Sequence, residues 1–218
     1  MSSRQEEIAT ALTQVRAEIA SYSPTLIVVT KTHPVSDVEI LAGLGVGDFG
    51  ENRNEEGAEK APAVPGNWHF QGEVQSKKIR SILSWADCIH SLDSVEHAEK
   101  FSRVLVEDES CVDVFLQLSL DGNPARGGVT ETELFEKAES ISVLPGINLL
   151  GIMCVPPVEM AANIAFSKVA TIHRGFIASF PGSPALSAGM SQDYLLALDH
   201  GATHIRVGSK ILGKRAHP

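Results

Sequence analysis

Apolar residues recur at three- and four-residue spacing over residues 3–20, where Ile8, Leu12, Val15 and Ile19 share one face, and this predicts an amphipathic helix. From residue 25 the pattern changes to short apolar, β-branched runs. They lie around 25–31, 47–51, 67–72, 87–92, 111–120, 147–155, 184–188 and 203–208, separated mostly by segments long enough for a crossover helix. Such alternation specifies a parallel sheet, and eight repeats predict a closed (β/α)8 TIM barrel with an additional N-terminal helix. An open doubly wound sheet is the alternative. The seventh run, PALSAGMS, carries the weakest strand signal, being short and rich in small residues. No Pro/Gly/Ser-rich linker divides the chain and no tandem repeat is present, so residues 1–218 are expected to form a single domain.

Composition narrows the partners. With 43% hydrophobic and 21% charged residues the chain can bury a full core. A net charge of −9 argues against an extended phosphate-backbone footprint, so nucleic acid is not expected, although a local pocket for a small anion remains open. The first residues, MSSRQEEIATALTQVRAEIA, lack an uninterrupted apolar segment, and no stretch approaches the roughly 18 apolar residues of a membrane span, which predicts a cytoplasmic protein with no membrane contact. Cys88, Cys111 and Cys154 are far apart and each adjoins strand-like residues, so buried reduced thiols are expected rather than disulfides or metal ligands.

Two motif-like features dissolve on inspection. GVGDFG, residues 45–50, has the spacing G-x-G-x-x-G, but it follows the helix-like SDVEILAGL and leads into a strand, the reverse of a dinucleotide-binding turn. Gly43 and Gly45 instead read as a helix end. His200 and His204 are four apart, but Gly201 between them makes a shared helical face for zinc improbable.

The informative residues fall at the ends of the expected strands. Lys31 closes the first, Glu51-Asn52-Arg53 the second, WHFQGEVQ the third, His90 the fourth and Met153 the sixth. SAGMS and RVGS close the seventh and eighth, and all of these would crowd one mouth. Barrels often build a phosphate site from the loops after strands seven and eight, and here those loops offer Ser187, Gly189, Ser191, Gly208 and Ser209. A lysine amine facing an apolar interior loses hydration, which favours its neutral, imine-forming state, so Lys31 is a candidate Schiff-base lysine. The plainer reading is a snorkelling or ion-paired lysine, with Glu51 as partner. An aldehyde bearing a phosphate, held between Lys31 and the last two loops, describes pyridoxal 5'-phosphate (PLP).

These segments resemble the pyridoxal phosphate homeostasis proteins of the YggS/PROSC type, which are related to the barrel domain of alanine racemase. VVTKTHP resembles the family's lysine strand, FGENRNEE its second-strand motif, WHFQGEVQSKK its third and SLDS its fourth. GIMCVPP and LSAGMSQDYLLALDHGATHIRVGSKILG resemble the sixth strand and the C-terminal signature. The resemblance implies that Lys31 holds PLP as an imine, that Asn52 lies beside the ring and that Met153 lines the pocket. It further implies that Ser187, Gly189, Ser191, Gly208 and Ser209 receive the phosphate and that Arg206 faces the pyridine nitrogen. Glu73 and Thr30 depart from residues common in the family, a histidine or other polar residue and a serine.

A guanidinium cannot hand its proton to the pyridine nitrogen, so Arg206 would leave the ring a weak electron sink. Racemases that resemble this barrel use a tyrosine from a second domain as second base. This chain has only Tyr22, expected beside the first helix, and Tyr194, expected on the last, and its end five residues after Gly213 suggests no such domain. Three readings stay open: a PLP-binding homeostasis protein without robust turnover, an amino-acid racemase, and a Schiff-base aldolase on the same fold. The first is favoured, with PLP-dependent apoenzymes as partners and a monomeric state as its corollaries.

Overall fold

Each apolar run is followed by a segment that carries the chain back along the outside of the sheet, so successive strands can only add in parallel. The computed structural model describes residues 3–213. Its strands are β1 (Thr25–Val29), β2 (Asp48–Glu51), β3 (Asn67–Phe70), β4 (Cys88–Leu92), β5 (Val112–Leu118), β6 (Ile147–Cys154), β7 (Ala185–Met190) and β8 (His204–Val207). They pair in sequence order, and β8 returns to β1 with Ile27 beside Arg206 and Val28 beside Val207, which closes the barrel. The TIM-barrel expectation holds and the open sheet is excluded.

The helices on the outside are α1 (Ser3–Ile19), α2 (Val35–Gly43), α3 (Asn54–Lys60), α4 (Ile79–Leu83), α5 (Val95–Glu107), α6 (Glu131–Ser142), α7 (Ala162–Ser179), α8 (Tyr194–Asp199) and α9 (Ser209–Leu212). The expected face of α1 is the buried one, comprising Ile8, Leu12, Val15 and Ile19. Arg4 pins this helix to the barrel, bonding both oxygens of Asp37 at 3.1 and 2.6 Å and the Leu212 carbonyl at 2.9 Å. Among the described residues no helix is long and apolar enough to cross a membrane.

Gly43 ends α2 and Gly45 adopts φ +75°, so GVGDFG is a helix stop entering β2, as its context implied. Three expectations need correction. Cys111 is exposed while Cys88 and Cys154 are buried, all three free. The reason is that β5 begins only at Val112, whose N–H reaches the Gly146 carbonyl at 2.9 Å, leaving Cys111 in the turn before it. His90 is not a strand end either: it sits mid-way along β4, fully buried in the barrel interior. The weakest expected strand proves to be a full strand, and β7 carries a register shift between Ser187 and Met190 where it pairs with β8. Tyr194 opens α8 rather than lying on the final helix.

Candidate functional site

The carboxyl ends of the strands surround a cavity of about 360 Å³, within the range of small-molecule sites. Lys31, Asn52, Met153 and Arg206 line it from one side of the expected set, and Ser191, Gly208 and Ser209 complete the wall. Seven of the nine expected residues therefore meet in one space. The other two do not line it. Ser187 is fully buried one layer below, and Gly189 is packed under α8, where an added Cβ would fall 2.7 Å from the Ala197 Cβ.

Lys31 sits two residues past β1, in a turn gripped on both flanks. The Thr30 hydroxyl donates to Glu51 Oε1 at 2.6 Å, and the Thr30 carbonyl accepts from Lys60 Nζ at 2.9 Å. On the other flank, Thr32 adopts φ +67° and its N–H donates to Glu56 Oε2 at 2.6 Å. Lys60 joins the two halves, bonding Glu51 at 2.7 Å and Glu56 at 2.9 Å. Glu51 thus pairs with Lys60 and, through Thr30, helps hold the turn that carries Lys31. Burial raises the Glu51 carboxyl above the usual range, against the opposing hydrogen bonds from Lys60 and Thr30.

Across the cavity, Ser191 Oγ accepts from the backbone N–H groups of Gly208 at 3.2 Å and Lys210 at 3.4 Å, so its own O–H remains a donor for a further acceptor. Asp193 fixes the same turn by accepting from the Met190 N–H at 2.6 Å. At Gly208 an added Cβ would lie 3.0 Å from the Val29 carbonyl oxygen, so only a bare backbone lets the β8 end approach the β1 end. Small residues, backbone N–H groups and two hydroxyls make this wall suited to an oxyanion.

Arg206 is buried between the two walls and burial lowers its guanidinium to about 10, which leaves it a cation at neutral pH. It donates to Ser187 Oγ at 2.6 Å and to the Cys154 carbonyl at 3.3 Å. Two buried polar atoms on the cavity residues have no partner, the acceptor Asn52 Oδ1 and the donor Gln71 Nε2. Such atoms are costly unless a ligand or water satisfies them. A polar, partly aromatic ligand with a phosphate would meet this donor and acceptor set.

Gln71, Met153 and Val155 also border a second, larger lobe of about 570 Å³ over β3–β6, to which Glu73, Asp93 and Arg126 contribute. The sequence reading left out Gln71, although it lies inside a quoted motif, because a glutamine after a strand has no chemistry that separates it from a surface residue. Below the mouth, the facing nitrogens of His69 and His90 lie 2.9 Å apart, and Cys88 Sγ is within 4.8 Å of them. The nitrogen separation is a hydrogen-bond distance. Both tyrosines lie away from the mouth, Tyr22 bonded to Asp199 and Tyr194 to Glu18 and Lys210.

The sequence matches the family described as alanine racemase, N-terminal domain, over residues 4–216. A pyridoxal phosphate homeostasis protein of Corynebacterium glutamicum is 41% identical over 203 residues, covering 88% of this chain and 91% of the relative. Another of that name from Vibrio alginolyticus is 34% identical, covering 99% of each chain. Among solved structures, PipY of Synechococcus elongatus with PLP bound has a TM-score of 0.87 at 31% identity, covering 94% of this chain and all of that one (100%). An alanine racemase of Clostridium difficile has a TM-score of 0.80 at 14% identity, covering 94% of this chain and 59% of that one, a likeness of fold alone.

Proposed function

The chain belongs to the alanine racemase N-terminal domain family and, within it, to the pyridoxal phosphate homeostasis proteins, and from that premise we propose that it binds PLP as a Schiff base on Lys31. In this reading it serves intracellular PLP homeostasis without robust catalytic turnover. The observation that carries it is the meeting of Lys31, Arg206 and the Ser191–Gly208–Ser209 wall in one cavity of about 360 Å³. The two unpartnered polar atoms, Asn52 Oδ1 and Gln71 Nε2, and the bare backbone of Gly208 that lets the β8 end approach the β1 end also suit the cofactor.

PLP supplies an electrophilic aldehyde for an amine and a ring able to accept electrons. Lys31 provides the amine. Ser191, Gly208 and Ser209 would receive the phosphate, with Gly189 allowing β7 to pack under α8 and Ser187 supporting Arg206 from below. Asn52 and Met153 would flank the ring, and Arg206 would donate a hydrogen bond to the pyridine nitrogen. A guanidinium leaves that nitrogen unprotonated, which weakens proton abstraction beside the bound amine. The tyrosines, engaged by Asp199 and Glu18, supply no second base at the mouth. The whole chain is read as a single barrel domain, cytoplasmic and monomeric, with PLP-dependent apoenzymes as recipients.

Phosphate anchoring is tested by titrating the protein with PLP and following absorbance. Ser191→Ala and Ser209→Ala should each weaken binding by about 1.5–3 kcal/mol, the worth of a hydrogen bond to a charged group. Unchanged dissociation constants in both variants would move the phosphate elsewhere. The racemase alternative is tested by deuterium exchange at the α-carbon of alanine, which detects proton abstraction even without inversion. Trace exchange is expected; exchange with racemisation at about 1–10³ per second would replace the homeostasis reading with a racemase.

A further inference from the structure

We infer that His90 and His69 are positioning residues for Arg206, fixing the direction of every proton in a buried chain that holds the guanidinium against the cofactor nitrogen. The chain crosses the barrel interior. Arg206 Nη1 donates to Ser187 Oγ at 2.6 Å, and Ser187 Oγ lies 2.8 Å from His90 Nδ1. His90 Nε2 lies 2.9 Å from His69 Nδ1, and His69 Nε2 lies 3.2 Å from Asp48 Oδ1 near the amino-terminal end of the barrel. Ser187 and His90 are wholly buried, and Arg206 and His69 nearly so.

Only one set of neutral histidine tautomers satisfies all four contacts. Arg206 has donors only, so Ser187 Oγ must accept from it and send its own proton to His90 Nδ1. His90 then carries its proton on Nε2 and donates to His69 Nδ1. His69 carries its proton on Nε2 and donates to Asp48, whose carboxylate only accepts. A proton added to His69 would reverse the two histidine bonds and leave the Ser187 hydroxyl proton without an acceptor, a costly fault among buried groups. Burial, reinforced by His69 and Arg206, holds the His90 imidazole well below its ordinary pKa and therefore neutral. Phe115 stacks on the His90 ring at 4.5 Å and fixes its plane.

The consequence is felt at Arg206. A Ser187 hydroxyl whose proton is committed to His90 offers the guanidinium only lone pairs, and the Cys154 carbonyl takes a second N–H. The guanidinium has five N–H groups in a rigid fork, and with two taken by Ser187 and Cys154, three remain to serve an acceptor in the cavity that Arg206 lines. Without the His90 acceptor, the serine proton could turn toward the cation and push it off station.

The inference rests on the proposed placement of Arg206 at the pyridine nitrogen, and its test separates the two. Protein is reconstituted with PLP labelled with ¹⁵N in the ring, and the nitrogen chemical shift and the dissociation constant are measured. Arg206→Leu should move the nitrogen signal toward that of a pyridine without a hydrogen bond. His90→Leu should move it the same way and raise the dissociation constant about five- to tenfold, the worth of one hydrogen bond. His90→Asn places a carbonyl acceptor near the Nδ1 position and should restore the wild-type signal, although it leaves the larger void. Ser187→Ala should reproduce His90→Leu and supplies the same reading if the leucine variant does not fold. If Arg206→Leu moves the signal while neither His90→Leu nor Ser187→Ala does, or if Asn and Leu at position 90 behave alike, the positioning role is overturned. If Arg206→Leu itself leaves the signal unchanged, the placement of Arg206 falls instead, and the inference with it.

Discussion

Protein carrying Lys31→Ala, loaded with PLP and treated with borohydride, should retain no covalently bound cofactor, whereas the wild-type chain should carry it on the peptide that contains Lys31. The loss is expected to be complete because, among the described residues, Lys31 is the one lysine lining the cavity. Lys60 is buried between Glu51 and Glu56, and Lys210 bonds Glu18 at 2.7 Å and Tyr194 at 2.7 Å, contacts that raise its pKa and hold its proton. An amine must be neutral to attack an aldehyde, so such ion-paired lysines are poor competitors. The wall of Ser191, Gly208 and Ser209 lies across the cavity and is built without Lys31, so under the proposed placement of the phosphate the variant should still bind PLP reversibly. Borohydride fixation on Lys77 or Lys210 in the wild-type chain would show that the covalent site has been misplaced.

Several parts of this arrangement were legible from residue order alone because they depend on local chemistry. Eight strand–helix alternations determine a barrel, and a barrel places the residues that follow each strand at one mouth, so Lys31, Asn52, Ser191, Gly208 and Ser209 had to be neighbours. Depth within the barrel was not legible. Period-two alternation says that Ser187 and His90 point inward, but not that they form a layer beneath the mouth, and the register shift between Ser187 and Met190 follows from pairing with β8. The partner of Glu51 was hidden for a similar reason. Lys60 lies nine residues on, and only when α3 folds back over the end of β2 does its amine reach the carboxylate. The Arg206 chain draws on β2, β3, β4, β7 and β8, and no linear pattern marks residues that meet from five strands. Cys111 was misjudged because one residue separates a buried strand from an exposed turn.

Removing Lys60 should destabilise the fold by about 3–5 kcal/mol, the penalty of leaving a buried carboxylate without its cation. Glu51 is fully buried and Lys60 nearly so, with relative exposures of 0% and 3%. Lys60 also bonds the Thr30 carbonyl and Glu56, so Lys60→Ala cuts three contacts that hold the turn carrying Lys31. Denaturant unfolding of Lys60→Ala measures the loss. The double variant Glu51→Gln/Lys60→Met removes both charges and should recover most of it, because a buried pair contributes little net stability over apolar or neutral replacements. The pH dependence distinguishes a charge effect from a packing effect. Glu51 titrates above its unfolded value because burial disfavours its anion, so in the window between those two values the folded state binds the extra proton. Stability carried by that proton is present below the unfolded value and is lost as pH rises through the folded one. Without Lys60 the folded value should rise further, so the Lys60→Ala deficit should widen as pH rises above the unfolded carboxyl value, while the double variant shows no such slope. A Lys60→Ala deficit that is constant with pH and is not recovered in the double variant would mean that Lys60 stabilises the Lys31 turn through packing and its carbonyl contact alone.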